Sequence, residues 1–320
     1  MPMTKNQYIE RMISTQQETL EKIKAHPSMA PIRAKLECDK DFKFSEYVPL
    51  FENMLKSGFL QHVIDVELNN LKNFPDYQLR NFSSETRTKG WQVLETKDFV
   101  INVGIGTRTP EEVSYIEWHK SQNPGEFQSK LTVTPKHFYM GFALIPYGSN
   151  HIEFVVPEWD ENNPPSPNEK LKFVRERQLQ NGDSIYLKSG EGIPAVTYTG
   201  KIVYLEVAGK NDFSFSPVYC LETLKLDMLV GTDEQASRIE LLTRHLINVE
   251  AEESIETVEK ASKEHSHHHI RWSLMECLYK LSPEKGIQRL KDGLTDPHIH
   301  IRNASALALN TISQEKQNAN

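Results

Sequence analysis

His267-His268-His269-Ile270-Arg271 returns 31 residues later as His298-Ile299-His300-Ile301-Arg302. The apolar positions behind each arginine return with it. Ile270, Leu274, Cys277, Leu278 and Leu281 fall at helical intervals, and Ile301, Ser305, Ala308, Leu309 and Ile312 occupy the equivalent places. A helix that repeats together with its buried stripe implies stacked helical hairpins. Around this pair the spacing predicts helices over 234–249, 253–264, 267–281, 283–293 and 297–313. Ser282-Pro283 and Asp296-Pro297 each offer an N-cap followed by proline in the first turn.

Upstream the period changes. Ten short stretches rich in Val, Ile, Tyr, Phe and Thr read as strands: 91–96, 99–104, 129–134, 138–145, 151–157, 171–177, 183–188, 194–198, 201–208 and 214–222. Turn residues such as Asn181-Gly182-Asp183 and Thr199-Gly200-Lys201 separate them, and no helix intervenes. The sheet is therefore expected to be antiparallel, as a sandwich or a barrel. Glu161 to Asn168, with three prolines, reads as an exposed loop. Residues 1–75 are helical by pattern: one helix stops at His26-Pro27, and a second stretch from Ser45 is divided by Gly58 and stopped by Pro75. The fold class is thus α+β, in three domains: an N-terminal helical segment at 1–88, a β domain at 89–228 and a helical repeat domain at 229–320.

Composition bounds the function. In 320 residues, 38% hydrophobic and 25% charged, there is room for two or three cores. A net charge of −7 argues against nucleic acid as a partner, because phosphate contacts need a basic face. No apolar run is long enough to span a bilayer, and the first residues lack the apolar stretch of a signal peptide. Cys38, Cys220 and Cys277 are odd in number and far apart, so no disulfide framework is expected. A cytoplasmic protein with no membrane contact is the expectation.

Two resemblances follow from these residues. Asp296-Pro297, Arg302 and the run Ala304-Ser305-Ala306-Leu307-Ala308-Leu309 resemble a HEAT repeat, with Arg271 and Arg238 in comparable places. This implies a tail that docks a protein partner or a second copy of the chain. Gly182 to Gly190 is similar to the second motif of the cupins, small jelly-roll barrels that hold a metal ion. Lys188 stands where that motif has proline and Ile193 where it has the metal-binding histidine. Asn150-His151-Ile152-Glu153 is the nearest approach to the first motif. The two together look like bacterial cupin proteins with C-terminal HEAT repeats.

The candidate metal ligands form two groups. His267, His269, His298 and His300 are the densest, with His265 and His268 beside them; imidazole is the commonest ligand for zinc, copper, nickel or iron. The competing reading is solvated histidine in the polar first turn of two helices. His137, His151 and Glu153, on strands, would form a two-histidine, one-carboxylate set, and His151 and Glu153 share a face by alternation. The plain reading is a half-exposed sheet. Tyr139, Tyr147, Tyr186 and Tyr204 are expected in the β core or at a pocket rim. Cys277 on the helical stripe and Cys220, without a basic neighbour, read as inert. No phosphate loop, dinucleotide fingerprint or nucleophile elbow is present.

The main expectation is a non-enzymatic small-ligand-binding or regulatory module, with the ligand in the β domain and the helical tail facing a protein. The alternative is a metal-dependent cupin-type oxygenase or related enzyme with non-standard ligands. Whether a cofactor is bound is open between none and a divalent metal.

Overall fold

The computed structural model describes residues 4–84, 88–108, 130–161 and 163–318. Four helices lead: α1 (Lys5–Lys24), α2 (Met29–Cys38), α3 (Phe44–Lys56) and α4 (Phe59–Asn73). Thr4 starts α1 with a capping box, its hydroxyl accepting from the Gln7 amide while the Gln7 side chain accepts from the Thr4 amide. Gly58 separates α3 from α4 at φ +79°, a left-handed conformation open to glycine at no cost.

Among the described residues twelve strands follow: β1 (Ser83–Ser84), β2 (Thr88–Glu95), β3 (Phe99–Arg108), β4 (Lys130–Thr132), β5 (Lys136–Leu144), β6 (Asn150–Val155), β7 (Lys172–Gln178), β8 (Ser184–Leu187), β9 (Val196–Thr197), β10 (Gly200–Asn211), β11 (Phe215–Cys220) and β12 (Leu226–Gly231). They form a six-stranded sheet in the order β1-β2-β3-β10-β5-β8 and two three-stranded sheets, β12-β11-β4 and β7-β6-β9. The pairings around β3, β10, β5 and β6 are antiparallel, as the hairpin-rich pattern predicts. The expected closed barrel is not found among the described residues. The sheet orders are linear, and β1 and β8 end the larger sheet without meeting. The sequence pattern does not mark β1 or β12, the first very short and the second mostly exposed. The expected strand at 129–134 begins one residue outside the described part.

Two compact units result. One comprises residues 1–158, 165–212 and 217–228; the other comprises 159–164, 213–216 and 229–320. In the first, Ile23, Met29, Tyr47 and Phe51 of the helices share a core with Trp91, Ile101, Val103 and Leu205 of the six-stranded sheet. The N-terminal helices are therefore a layer on this sheet, held by burial of large side chains worth about 1.5–3 kcal/mol each. A second core lies around Phe138, Phe142, Ile185, Leu187 and Tyr204. Tyr139 and Tyr204 are buried as expected, but Tyr147 is 98% exposed, because it falls in the turn after β5 rather than on a strand.

The second unit is mainly helical: α5 (Glu234–Asn248), α6 (Ile255–Glu264), α7 (His268–Leu281), α8 (Pro283–Gly293) and α9 (Ile299–Asn318). Central α7 packs against the other four, burying Ile270, Leu274, Cys277 and Leu278. The two repeated arginines act alike. Arg271 donates to the carbonyls of His265 and Ser266, and Arg302 to those of Asp296 and Pro297, six and five residues back in each case. Each thereby ties down the chain entering its helix. Arg271 also forms a buried two-point ion pair with Asp296, at 2.7 and 3.1 Å. Asp296 caps α9 by accepting from the His298 amide at 2.9 Å, whereas Ser282 makes no side-chain cap on α8. No helix of the described residues is long and apolar enough to cross a membrane.

Candidate functional site

The first unit carries a cleft of about 420 Å³ between the β7-β6-β9 sheet and β8. Antiparallel register builds one wall: His151 of β6 stands opposite Arg177 of β7, and Glu153 opposite Arg175. Directly opposed residues project to the same face, so two acceptor-capable groups and two guanidiniums meet on one surface. Tyr186, Lys188 and Ile193 line the other side.

The four polar groups are not equivalent. Glu153 accepts from Arg175 at 2.7 and 3.2 Å, and this bond, against some burial, holds its carboxyl below the ordinary glutamate range. Arg177 donates to the Ser184 carbonyl at 3.0 Å and makes no ion pair within 4.0 Å among the described residues. His151 is 4% exposed. Neither of its ring nitrogens meets hydrogen-bond geometry with a partner among the described residues, although the Ile193 backbone lies close enough to pull its pKa upward. The nearest carboxylate oxygen, on Glu153, lies 3.8 Å from Nδ1. Burial lowers the His151 pKa, and the pull of Glu153 in the other direction does not cancel it. The imidazole is therefore neutral at neutral pH.

The expected set of His137, His151 and Glu153 is not assembled. His137 is not part of the lining of this cleft: its Nδ1 lies 3.0 Å from the Tyr186 hydroxyl and its ring stacks on Phe44. It lines another cleft with Lys43 and Asp98. Of that set His151 and Glu153 line the first cleft, and Ile193, 4% exposed, offers no donor.

The tail histidines are regrouped as well. His267 Nε2 lies 3.1 Å from Asp233, and His269 approaches Gly231 on the same side. His298 and His300 meet His268 instead, a residue the sequence reading left beside the set. Successive helical residues are turned by about 100°, so 267, 268 and 269 cannot all face the next helix. Cys277 is buried with its pKa raised by burial, and Cys220 is buried with its thiol 3.1 Å from Glu222.

Arg177 and Arg175 escaped the sequence reading because a long segment separates β6 from β7 and no tight turn sets their register. The alternation in Lys172–Gln178 was the available signal: residues 175 and 177 share one face.

No protein-family model matches the chain, and no curated protein matches it. Solved structures to which it is similar include KdgF from Halomonas sp., at 12% identity and TM-score 0.24 over 42% of this chain and 89% of that one. The DMSP lyase DddQ from Ruegeria pomeroyi DSS-3 gives 12% identity and TM-score 0.28 over 62% and 92% of the two chains. HppE in its cobalt complex with substrate gives 14% and 0.23 over 61% and 97%. These are cupin-fold proteins. Overlaps this partial carry no weight for chemistry.

Proposed function

We propose that the first unit binds a small organic anion in the cleft between β6, β7 and β8, with His151 and Arg177 as the recognition pair. His151 carries the reading. Nine in ten buried polar groups are hydrogen-bonded, and leaving one unsatisfied costs about 1–3 kcal/mol. A ligand carrying a carboxylate beside a hydroxyl would satisfy the imidazole and engage the guanidinium of Arg177 at two points. Glu153 does not repel such a ligand, because Arg175 already neutralises it. About 420 Å³ suits a molecule of metabolite size. In this reading the protein is a binding or regulatory module, and its helical unit is the part that meets a protein partner.

The test is a thermal-shift and calorimetry panel of succinate, citrate, gluconate, pyruvate and inorganic phosphate. At least one organic anion is expected to stabilise the protein, and Arg177→Gln to abolish that response while keeping the fold. No response to any probe, or a response that survives both Arg177→Gln and His151→Phe, refutes it.

A second reading is favoured by the 3.8 Å approach of Glu153 to His151 Nδ1. A neutral, buried imidazole with a carboxylate behind it is the arrangement of a general base, so the cleft would deprotonate a bound acid rather than only hold it. The cupin-type enzymes among the similar structures stand with this reading, and at TM-scores below 0.3 they decide nothing. Exchange of the probe's α-hydrogen with deuterium, lost in His151→Gln, would separate catalysis from binding.

A further inference from the structure

We propose that His268, His298 and His300 form a binding site for a divalent cation of the zinc, nickel or copper class, clamping the start of α7 to the start of α9. The proposal is independent of the anion cleft. The three side chains place one ring nitrogen each within 4.8 Å of one another, the one such group of histidine, cysteine or acidic residues among the described residues. His268 and His298 stack with centroids 3.6 Å apart and planes 5° from parallel. His300 stands edge-on to both, at 4.9 Å from His298 and 5.4 Å from His268.

A zinc–nitrogen bond of about 2.0–2.1 Å requires ligand nitrogens roughly 3.3–3.4 Å apart in a tetrahedron. The group is therefore about 1.5 Å too open at most. Lone pairs lie in the ring plane, so a parallel stack cannot ligate as it stands, and one of the two stacked rings must turn about its Cβ–Cγ bond. His298 Nδ1 at present accepts a long bond from the His300 amide, 3.3 Å. Ligation through Nε2 moves that ring's proton to Nδ1 and gives this bond up. Both changes are side-chain rotations or proton shifts that leave the helices in place.

Charge favours the class of ion named. No carboxylate belongs to the group, so the site offers neutral nitrogen donors, which suit zinc, nickel and copper and not magnesium or calcium. The two helix N-termini oppose a cation, each by about two- to thirtyfold in affinity. Arg271 is already neutralised by Asp296 at 2.7 Å. Three histidines leave a fourth position for water or for a group on a partner.

The test uses the full chain without a histidine tag, stripped with chelator and titrated with Co²⁺ alone and then Zn²⁺ alone. The expected result is one Co²⁺ per chain, with a visible ligand-field band that Zn²⁺ displaces. X-ray absorption of the zinc form is expected to count three imidazoles. His300→Gln and His298→Gln are expected to weaken binding by more than the ~10–100-fold that losing an outer-shell partner costs. His267→Gln, on the Asp233 side, is expected to leave it unchanged. No saturable binding, fewer than two imidazoles in the wild-type shell, or affinity unaltered in His300→Gln would overturn the proposal. The wild-type absorption count decides the matter even if a variant does not fold.

Discussion

Asp296→Ala tests the physical account of the helical unit most directly. The Asp296 carboxylate receives two hydrogen bonds from Arg271, at 2.7 and 3.1 Å, lies 3.8 Å from Arg289, and caps the His298 amide at 2.9 Å. Its side chain is 4% exposed and that of Arg271 is 8%. Removing one partner of a buried ion pair costs about 3–5 kcal/mol, mainly because the remaining charge is stranded. Arg271 keeps two carbonyl acceptors, which pulls the figure toward 3. The lost cap adds about 1. The net expectation is about 4 kcal/mol, or roughly 10³-fold faster hydrogen exchange. The assay is exchange of peptides covering 268–281 and 299–313, because a chain of two units has no single defined melting temperature. Arg271→Met with Asp296→Leu should recover part of the loss but not all of it, since Arg289 then lacks its counter-charge. The pH arm has a fixed sign. Burial raises the Asp296 pKa, but the Arg271 bonds outweigh it and the folded value is lowered. Its stabilisation is therefore present above the unfolded value of about 3.9 and lost as pH falls through the folded one. A change in protection below tenfold in Asp296→Ala would refute the ion-pair account.

His151 should act with the same sign in a higher pH window. Its folded pKa is lowered, chiefly by burial, so its contribution is flat above the unfolded value of about 6.5 and stability falls as pH drops below it. His151→Gln should flatten that slope in urea melts, and an unchanged slope would count against a buried neutral imidazole. Leu278→Asp puts an unpaired charge at a fully buried position of α7 and should cost several kcal/mol. Native-state proteolysis should then release the helical unit first. Gly104→Ala should destabilise the six-stranded sheet by about 1–3 kcal/mol, because the new methyl would strike the ring of Tyr204 directly opposite in β10. A chemical melt equal to wild type would contradict it. A fragment of residues 229–320 should be less heat-stable than the same helices in the full chain, because residues 159–164 and 213–216 complete that unit. An isolated fragment with equal stability would show that these segments contribute nothing.

Much of the architecture was legible because local rules mark it. The five tail helices were bounded to within a few residues by periodicity, by Pro283 and by the Asp296-Pro297 cap, which depend on near neighbours in the chain. The strand list was legible for the same reason, since turn glycines and β-branched runs are local signals. Sheet closure was not. A barrel and a set of open sheets present the same alternation, and only the pairing of distant edges separates them. The candidate sites divide in the same way. His151 and Glu153 share a face by alternation alone, which sequence determines. The partnership of His151 with Arg177 depends on a register across a long connection, which no turn specifies. His268 replaced its neighbours in the histidine group because the rotation of α7 about its own axis is set by the burial of Ile270, Leu274 and Leu278. Local sequence determined where the elements begin and end. Tertiary packing decided which side chains meet, because a helix's rotation and a strand's register are resolved only by the core they share.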